Sequence, residues 1–112
     1  MSILGIVLHH SACPSINGTG YDYFVCADGT IVAGAEPTDP HYVHVCLEGD
    51  FSVFRPLTAE LQEQLFVAVK LFVALAARHG FDPTDLHPHS VSCPGRRFPW
   101  RELVLSRPEG YH

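Results

Sequence analysis

The chain has 112 residues, enough for one domain with a modest core, and its 46% hydrophobic and 17% charged residues exclude a disordered chain. A net charge of −5 with only seven scattered Lys and Arg argues against a nucleic-acid partner, which would require a basic stripe. The amino terminus lacks a signal-peptide pattern, and the longest apolar stretch, residues 65–77, is too short for a membrane span. We therefore expect one soluble domain over residues 1–112, cytoplasmic as synthesised.

The first half of the chain predicts short strands separated by turns. Residues 3–8 are apolar without helix signals, which indicates a buried strand that ends at His9 and His10. A loop rich in Ser, Pro, Asn and Gly follows. Residues 21–26 and 30–33 then flank an Asp-Gly turn and predict a hairpin, and the alternating residues 42–47 predict a further strand.

One long helix dominates the second half. Thr58 is a predicted N-cap with Glu60 in the first turn, and Gly80 is a predicted left-handed stop, so the helix should cover residues 59–79. The second half of the helix is apolar nearly all round, which predicts that it is buried on more than one side. We expect the helix to pack on the sheet rather than on a second copy of the chain. Prolines after residue 81 predict mostly loop, with a short helical turn at 100–103. These elements predict an α/β fold with a central mixed sheet and a long packed helix.

Histidine and cysteine side chains give the strongest chemical signal. His9 ends a strand, and His10 points to the opposite face because strand side chains alternate, so only one of them can readily enter a site. Cys93 lies in a loop with His87 and His89. Mixed His and Cys donors indicate zinc rather than magnesium or calcium, and three protein ligands with one open position would make the zinc catalytic.

The remaining candidates are weaker. Cys26 and Cys46 lie in apolar strand-like runs and are predicted core thiols, while a disulfide at Cys13 has no support. Tyr21 is the best polar partner for a metal site, because it follows a glycine-rich segment at a strand start; a half-buried strand tyrosine is the alternative. Three carboxylates at strand ends are candidate general bases or solvated groups: Asp22, Glu48 and Asp50.

Five segments, taken in order, resemble the zinc-dependent N-acetylmuramoyl-L-alanine amidases, a family that includes phage lysozyme-type amidases and peptidoglycan recognition proteins. Residues 7–11 resemble the first metal-ligand strand, and residues 20–25 with 28–31 resemble the tyrosine-bearing hairpin. Residues 45–51 are similar to the central strand and its glycine turn. Leu57, Thr58 and Gln64 open a similar helix, and residues 93–100 resemble the closing ligand motif.

The resemblance implies a zinc ion held by His9, His89 and Cys93, with Tyr21 assisting catalysis. The implied substrate is peptidoglycan or a muropeptide, cut at the amide between N-acetylmuramic acid and L-alanine of the stem peptide. Zinc would lower the pKa of a water and polarise the amide carbonyl. The protein would act on the cell wall after release, as a bacteriolytic enzyme, or on internalised muropeptides.

Three departures from the family pattern leave alternatives open. The second histidine usually lies about eight residues before the cysteine, where this chain has Asp85, so His87 remains an alternative to His89. Val91 replaces a lysine or threonine that many members carry, and the segment between the first strand and the hairpin is short. Val91 and the lost segment favour the alternative of a peptidoglycan-binding module with little or no hydrolysis. A metal-free hydrolase with a Cys93 nucleophile lacks an orienting third residue.

Overall fold

A computed structural model describes residues 2–13, 21–34, 39–90, 92–103, 106–107 and 110–111. The elements, in chain order, are β1 (Gly5–His10), β2 (Tyr23–Val25), β3 (Ile31–Ala33), β4 (Tyr42–Leu47), α1 (Ala59–His79), β5 (Leu86–Pro88), a 3₁₀ turn (Trp100–Glu102), and the paired strands β6 (Ser106–Arg107) and β7 (Gly110–Tyr111). Among these residues no helix has the length and apolarity that crossing a bilayer requires.

The five-stranded sheet has the order β3-β2-β4-β1-β5. β2, β4, β1 and β5 run parallel, and β3 is antiparallel to β2 at one edge. The sheet is therefore mixed and carries one long helix, which confirms the predicted α/β fold class. The hairpin is also confirmed: Gly29, with φ +91°, closes the turn between β2 and β3.

α1 begins and ends at the predicted residues. The Thr58 hydroxyl accepts a hydrogen bond from the Leu61 N–H at 3.1 Å, and Gly80 stops the helix in the left-handed conformation with φ +78°. Near its start, the buried Gln64 donates through Nε2 to the carbonyls of Val25 at 3.2 Å and Glu48 at 2.9 Å. The helix is thus tied to the carboxyl ends of β2 and β4.

The core lies between α1 and one face of the sheet. Alternate residues of the parallel strands point to this face, and one stripe of the helix packs on them. The buried members of this layer are Ile6, Leu8, Val25, Val43, Val45, Leu47, Leu61, Leu65, Ala68, Phe72 and Leu75. The opposite face carries the intervening residues, which include His9, His44 and Cys46.

Three expectations are wrong. β5 lies in a segment predicted as loop, because its prolines and short length mask a strand that pairs with β1 on one side only. α1 is covered along one stripe: Phe66 and Val73 on its outer side are 57% and 43% exposed. Cys26 is half-buried beyond the end of β2, whereas Cys46 is fully buried as predicted.

Candidate metal centre

Four donor side chains meet where β1 and β5 end. They belong to His9, Cys13, His89 and Cys93, and their ligand atoms all lie within 4.8 Å of one another. β1 and β5 are adjacent parallel strands in which Leu8 pairs with Pro88, so the next residues, His9 and His89, lie side by side. The two cysteines follow in the connections beyond these strand ends. The carboxyl edge of a parallel sheet is the usual place for a ligand in this class of fold.

The separations within the cluster fit a zinc ion. The Sγ of Cys93 lies 3.7 Å from Nδ1 of His9, and the Sγ of Cys13 lies 3.8 Å from Nδ1 of His89. Zinc bond lengths and tetrahedral angles place a nitrogen and a sulfur ligand roughly 3.6 Å apart. None of the four cysteines is in a disulfide. Two imidazoles and two thiols therefore form a donor set of the His₂Cys₂ type, which zinc prefers.

The loop after β5 is folded so that Cys93 returns to the strand end. Ser90 and Cys93 exchange two backbone hydrogen bonds, of 3.0 and 3.3 Å, which bring Cys93 back towards His89. Gly95 then lies directly against the backbone of Phe51: a Cβ atom there would be 2.3 Å from the Phe51 carbonyl carbon. The Arg97 N–H donates to the Phe51 carbonyl at 2.8 Å. These contacts fix the position of the Cys93 thiol.

His10 has a structural role on the core face. Its Nδ1 accepts a hydrogen bond from the Phe51 N–H at 3.0 Å, and its ring also bonds to the backbone of Ser92. Burial lowers the pKa of His10, which keeps the ring neutral and able to accept the Phe51 proton. His9 and His10 therefore enter different environments, as strand alternation predicted, and only His9 joins the donor cluster.

Burial shifts the pKa values of two members of the cluster, His9 and Cys93. It lowers the pKa of His9 to about 4, assisted by the nearby His89 and His44, so this imidazole is neutral at physiological pH. Burial raises the pKa of the Cys93 thiol to about 12. A metal ligand must be a neutral imidazole or a thiolate. His9 is thus ready to bind, whereas Cys93 would have to release its proton to solvent when it binds the metal.

The other sequence candidates lie outside this cluster. His87 is exposed on β5, and its ring packs edge-on against Tyr42 at 5.6 Å. Asp85 lies at the opposite end of β5, where its carbonyl accepts the Ile6 N–H. Tyr21 is half-buried and its ring contacts Phe24 at 5.2 Å. Val91 falls outside the described residues.

Tyr21 nevertheless lies against the sheet face that bears the donors. Phe24, which it contacts, is in register with Cys46, and Cys46 is in register with His9. The backbone of Phe24 is two strand positions, about 10 Å, from that of His9. The role of Tyr21 in catalysis stays a prediction.

Each of the three candidate carboxylates accepts a backbone N–H. Asp22 Oδ2 accepts the His44 N–H at 2.7 Å, and Glu48 Oε1 accepts the Ala27 N–H at 2.8 Å. Asp50 Oδ1 accepts the Ser52 N–H at 3.0 Å and also bonds the Ser52 hydroxyl. Each carboxylate thus has a role in stabilising the backbone around it.

Two residues at the site, Cys13 and His44, were not predicted from the sequence. Cys13 is buried and shares the cluster although it comes only three residues after the end of β1. His44 contacts His9 through their rings: Nε2 of His9 lies 2.8 Å from Nδ1 of His44. Alternation in β4 places His44 and Cys46 on the same face, but only the pairing of β4 with β1 brings that face to His9.

The comparisons with known proteins bear on the fold. No protein-family model and no curated protein matches the sequence. Among solved structures, the peptidoglycan recognition protein PGRP-Hd from Alvinella pompejana is similar, with a TM-score of 0.57 and 18% identity over 87% of this chain and 78% of that chain. The chain therefore has the fold of a peptidoglycan recognition protein, and at the carboxyl edge of its sheet it carries a His/Cys group able to hold a metal ion.

Proposed function

We propose that this chain is a zinc-dependent N-acetylmuramoyl-L-alanine amidase, which hydrolyses the amide between N-acetylmuramic acid and L-alanine of the peptidoglycan stem. The observation that carries the proposal is the convergence of His9, His89 and Cys93. Two histidines and one cysteine, from the first strand and the closing loop, are the ligands that the family resemblance implies. The fold shared with a peptidoglycan recognition protein supports the same substrate class.

The position of the cluster suits a polymeric substrate. Three of its members are buried, but His89 is exposed, so one side of the donor set is open to solvent. Zinc bound there would supply a Lewis acid for attack on the amide carbonyl. In this proposal His9, His89 and Cys93 hold the ion, and the Tyr21 hydroxyl stabilises the oxyanion that develops on the carbonyl, a role worth about 2.7–4 kcal/mol for a well-placed donor.

A second function is favoured by Cys13. A zinc ion with four protein ligands has no open position for catalysis and is structural. With Cys13 as the fourth ligand, the domain would bind peptidoglycan without cutting it, and the zinc would hold the β1 and β5 ends together. The two functions share the fold and the metal and differ in whether Cys13 ligates during turnover.

The test combines metal analysis with peptidoglycan digestion. We would purify the full chain without added metal, determine zinc by elemental analysis, and measure release of stem peptides with and without a chelator. One zinc per chain with chelator-sensitive release supports the amidase. Zinc with peptidoglycan binding but no release supports the recognition module.

Two variants make the test specific. The Cys93→Ala variant should neither bind zinc nor release stem peptides, because the substitution removes a ligand common to both proposals. Cys26→Ala is the matched control, since that thiol is half-buried beyond β2 and outside the cluster. Retention of zinc and activity in Cys93→Ala would show that the ligand assignment is wrong.

A further inference from the structure

A chain of hydrogen bonds leads from the donor cluster to a carboxylate. His9 Nε2 lies 2.8 Å from Nδ1 of His44, and His44 Nε2 lies 2.9 Å from Oδ2 of Asp39. The other nitrogen of His9, Nδ1, faces the Sγ of Cys93 at 3.7 Å. In each of the two rings, one nitrogen thus faces the donor cluster and the other faces the carboxylate end of the chain.

The carboxylate fixes the direction in which the protons point. An ionised carboxylate only accepts hydrogen bonds, so His44 must donate from Nε2 to Asp39. With its one ring proton on Nε2, His44 accepts at Nδ1, and His9 must donate from Nε2. The consequence is that His9 carries no proton on Nδ1, and its lone pair there is directed into the cluster. This is the tautomer that a metal ligand at Nδ1 requires.

Asp39 is itself held in place. Its Oδ1 accepts the backbone N–H of His41 at 2.8 Å and that of Tyr42 at 3.3 Å, just where β4 begins. The hydrogen bond from His44, together with these backbone bonds, lowers the pKa of the Asp39 carboxyl, so it is ionised at physiological pH. The His44 backbone is fixed in addition by its N–H bond to Asp22. Both partners are therefore anchored before any metal binds.

We propose that Asp39 and His44 are positioning residues that select the Nε2–H tautomer of His9 and orient its Nδ1 towards the metal. The inference rests on the proposed zinc site but holds for either function above. Residues in this outer position commonly change metal affinity by about 10–100-fold when they are replaced. His9, His44 and Asp39 lie on β1, on β4 and just before β4, and none of them belongs to the loop that carries His89 and Cys93.

Zinc affinity of the full chain provides the first test, by competition with a chromophoric chelator. We expect Asp39→Asn and His44→Phe to weaken binding by about 10–100-fold. We expect His44→Gln, whose side-chain carbonyl can still accept from His9, to recover part of that loss. His41→Ala is the matched control, because it keeps the backbone N–H that Asp39 accepts and removes only an exposed ring. Unchanged affinity in both Asp39→Asn and His44→Phe would overturn the proposal.

A second measurement does not depend on the variants folding. Long-range ¹H–¹⁵N spectra of the wild-type chain report which His9 nitrogen carries the proton. Protonated Nε2 with unprotonated Nδ1 in the zinc-free chain supports the relay. A proton on Nδ1 overturns it, even if zinc binds. Absence of zinc binding by the wild-type chain would instead refute the proposed function, so the two failures are distinguishable.

Discussion

The thiol of Cys13 lies 3.8 Å from Nδ1 of His89, although 76 residues separate them in the sequence. This contact joins the connection after β1 to the end of β5 and completes the four-donor cluster. It bears directly on function, because a fourth protein ligand fills the position that a hydrolytic zinc site leaves open.

Replacement of Cys13 should therefore distinguish a structural zinc site from a catalytic one. If Cys13 is the fourth ligand, we expect Cys13→Ala to lower zinc affinity by about tenfold or more and to leave one position on the metal open. Cobalt substitution offers a direct readout: the sulfur-to-metal charge-transfer band should weaken by about half relative to the wild-type protein.

The effect of Cys13→Ala on the release of stem peptides from peptidoglycan distinguishes the two proposed functions. A rise in release from a low wild-type level indicates that Cys13 blocks the catalytic position. No release in either protein indicates a recognition module. Affinity and cobalt spectra identical to those of the wild type would show that Cys13 is a neighbour of the site and not a ligand.

The choice between His89 and His87 is open to a paired experiment. We expect His89→Ala to reduce zinc affinity by more than the roughly 100-fold typical of outer-sphere changes, because it removes a ligand. His87→Ala should leave affinity unchanged, since its ring packs on Tyr42 outside the cluster. Isothermal titration with zinc would measure both. The reverse result would reassign the second ligand to His87.

Tyr21→Phe tests the assisting role predicted for this tyrosine. If its hydroxyl stabilises the developing oxyanion, we expect turnover to fall by about 10²–10³-fold with zinc content unchanged. Packing on Phe24 should survive, because the aromatic ring is kept. Tyr42→Phe is the control, a half-buried tyrosine at the start of β4. Equal turnover in wild type and Tyr21→Phe would limit Tyr21 to packing.

Acid should destabilise the metal-free protein through His9. Burial lowers the pKa of His9 from its ordinary value of 6.5 to about 4 in the folded chain, so between these values the unfolded chain binds a proton that the folded chain does not. The contribution of His9 to stability is therefore complete above about pH 6.5 and is lost as pH falls to about 4. The free energy of unfolding should therefore fall by about 3 kcal/mol between these two pH values.

Urea unfolding at a series of pH values would check this prediction. The free energy of unfolding of the His9→Asn variant should fall less over the same pH range. The part of the loss that remains is expected from His10, whose pKa is also lowered by burial. A wild-type slope that persists in full in His9→Asn would assign the acid sensitivity to other groups.

Gly95→Ala should destabilise the closing loop. Gly95 has φ +110°, and an added Cβ would lie 2.4 Å from the Phe51 carbonyl oxygen, so the substitution combines backbone strain with a clash. We expect a loss of more than about 1–3 kcal/mol in the free energy of unfolding and weaker zinc binding, because Cys93 moves with the loop. Gly80→Ala is the control: its φ is +78° but nothing lies within 4 Å. It should cost about 1 kcal/mol and leave zinc affinity unchanged. Equal losses in the two variants would contradict the role of the Phe51 contact.

The sequence by itself determined the elements whose signals are local. Thr58 and Gly80 mark the ends of α1 because capping depends on neighbouring backbone groups. The Asp-Gly turn specified the hairpin in the same way. Strand alternation separated His9 from His10, and the combination of histidine and cysteine indicated zinc chemistry.

Only the tertiary structure decided which donors meet. β5 pairs with β1 through long-range hydrogen bonds that its proline-rich sequence does not predict, and this pairing sets His89 beside His9. Cys13 joins them because the carboxyl ends of parallel strands share one edge. His44, on β4, contacts His9 directly, and Asp39, just before β4, contacts His44. These relationships depend on strand order and register, which are set by packing of the whole sheet against α1, so no local pattern could specify them.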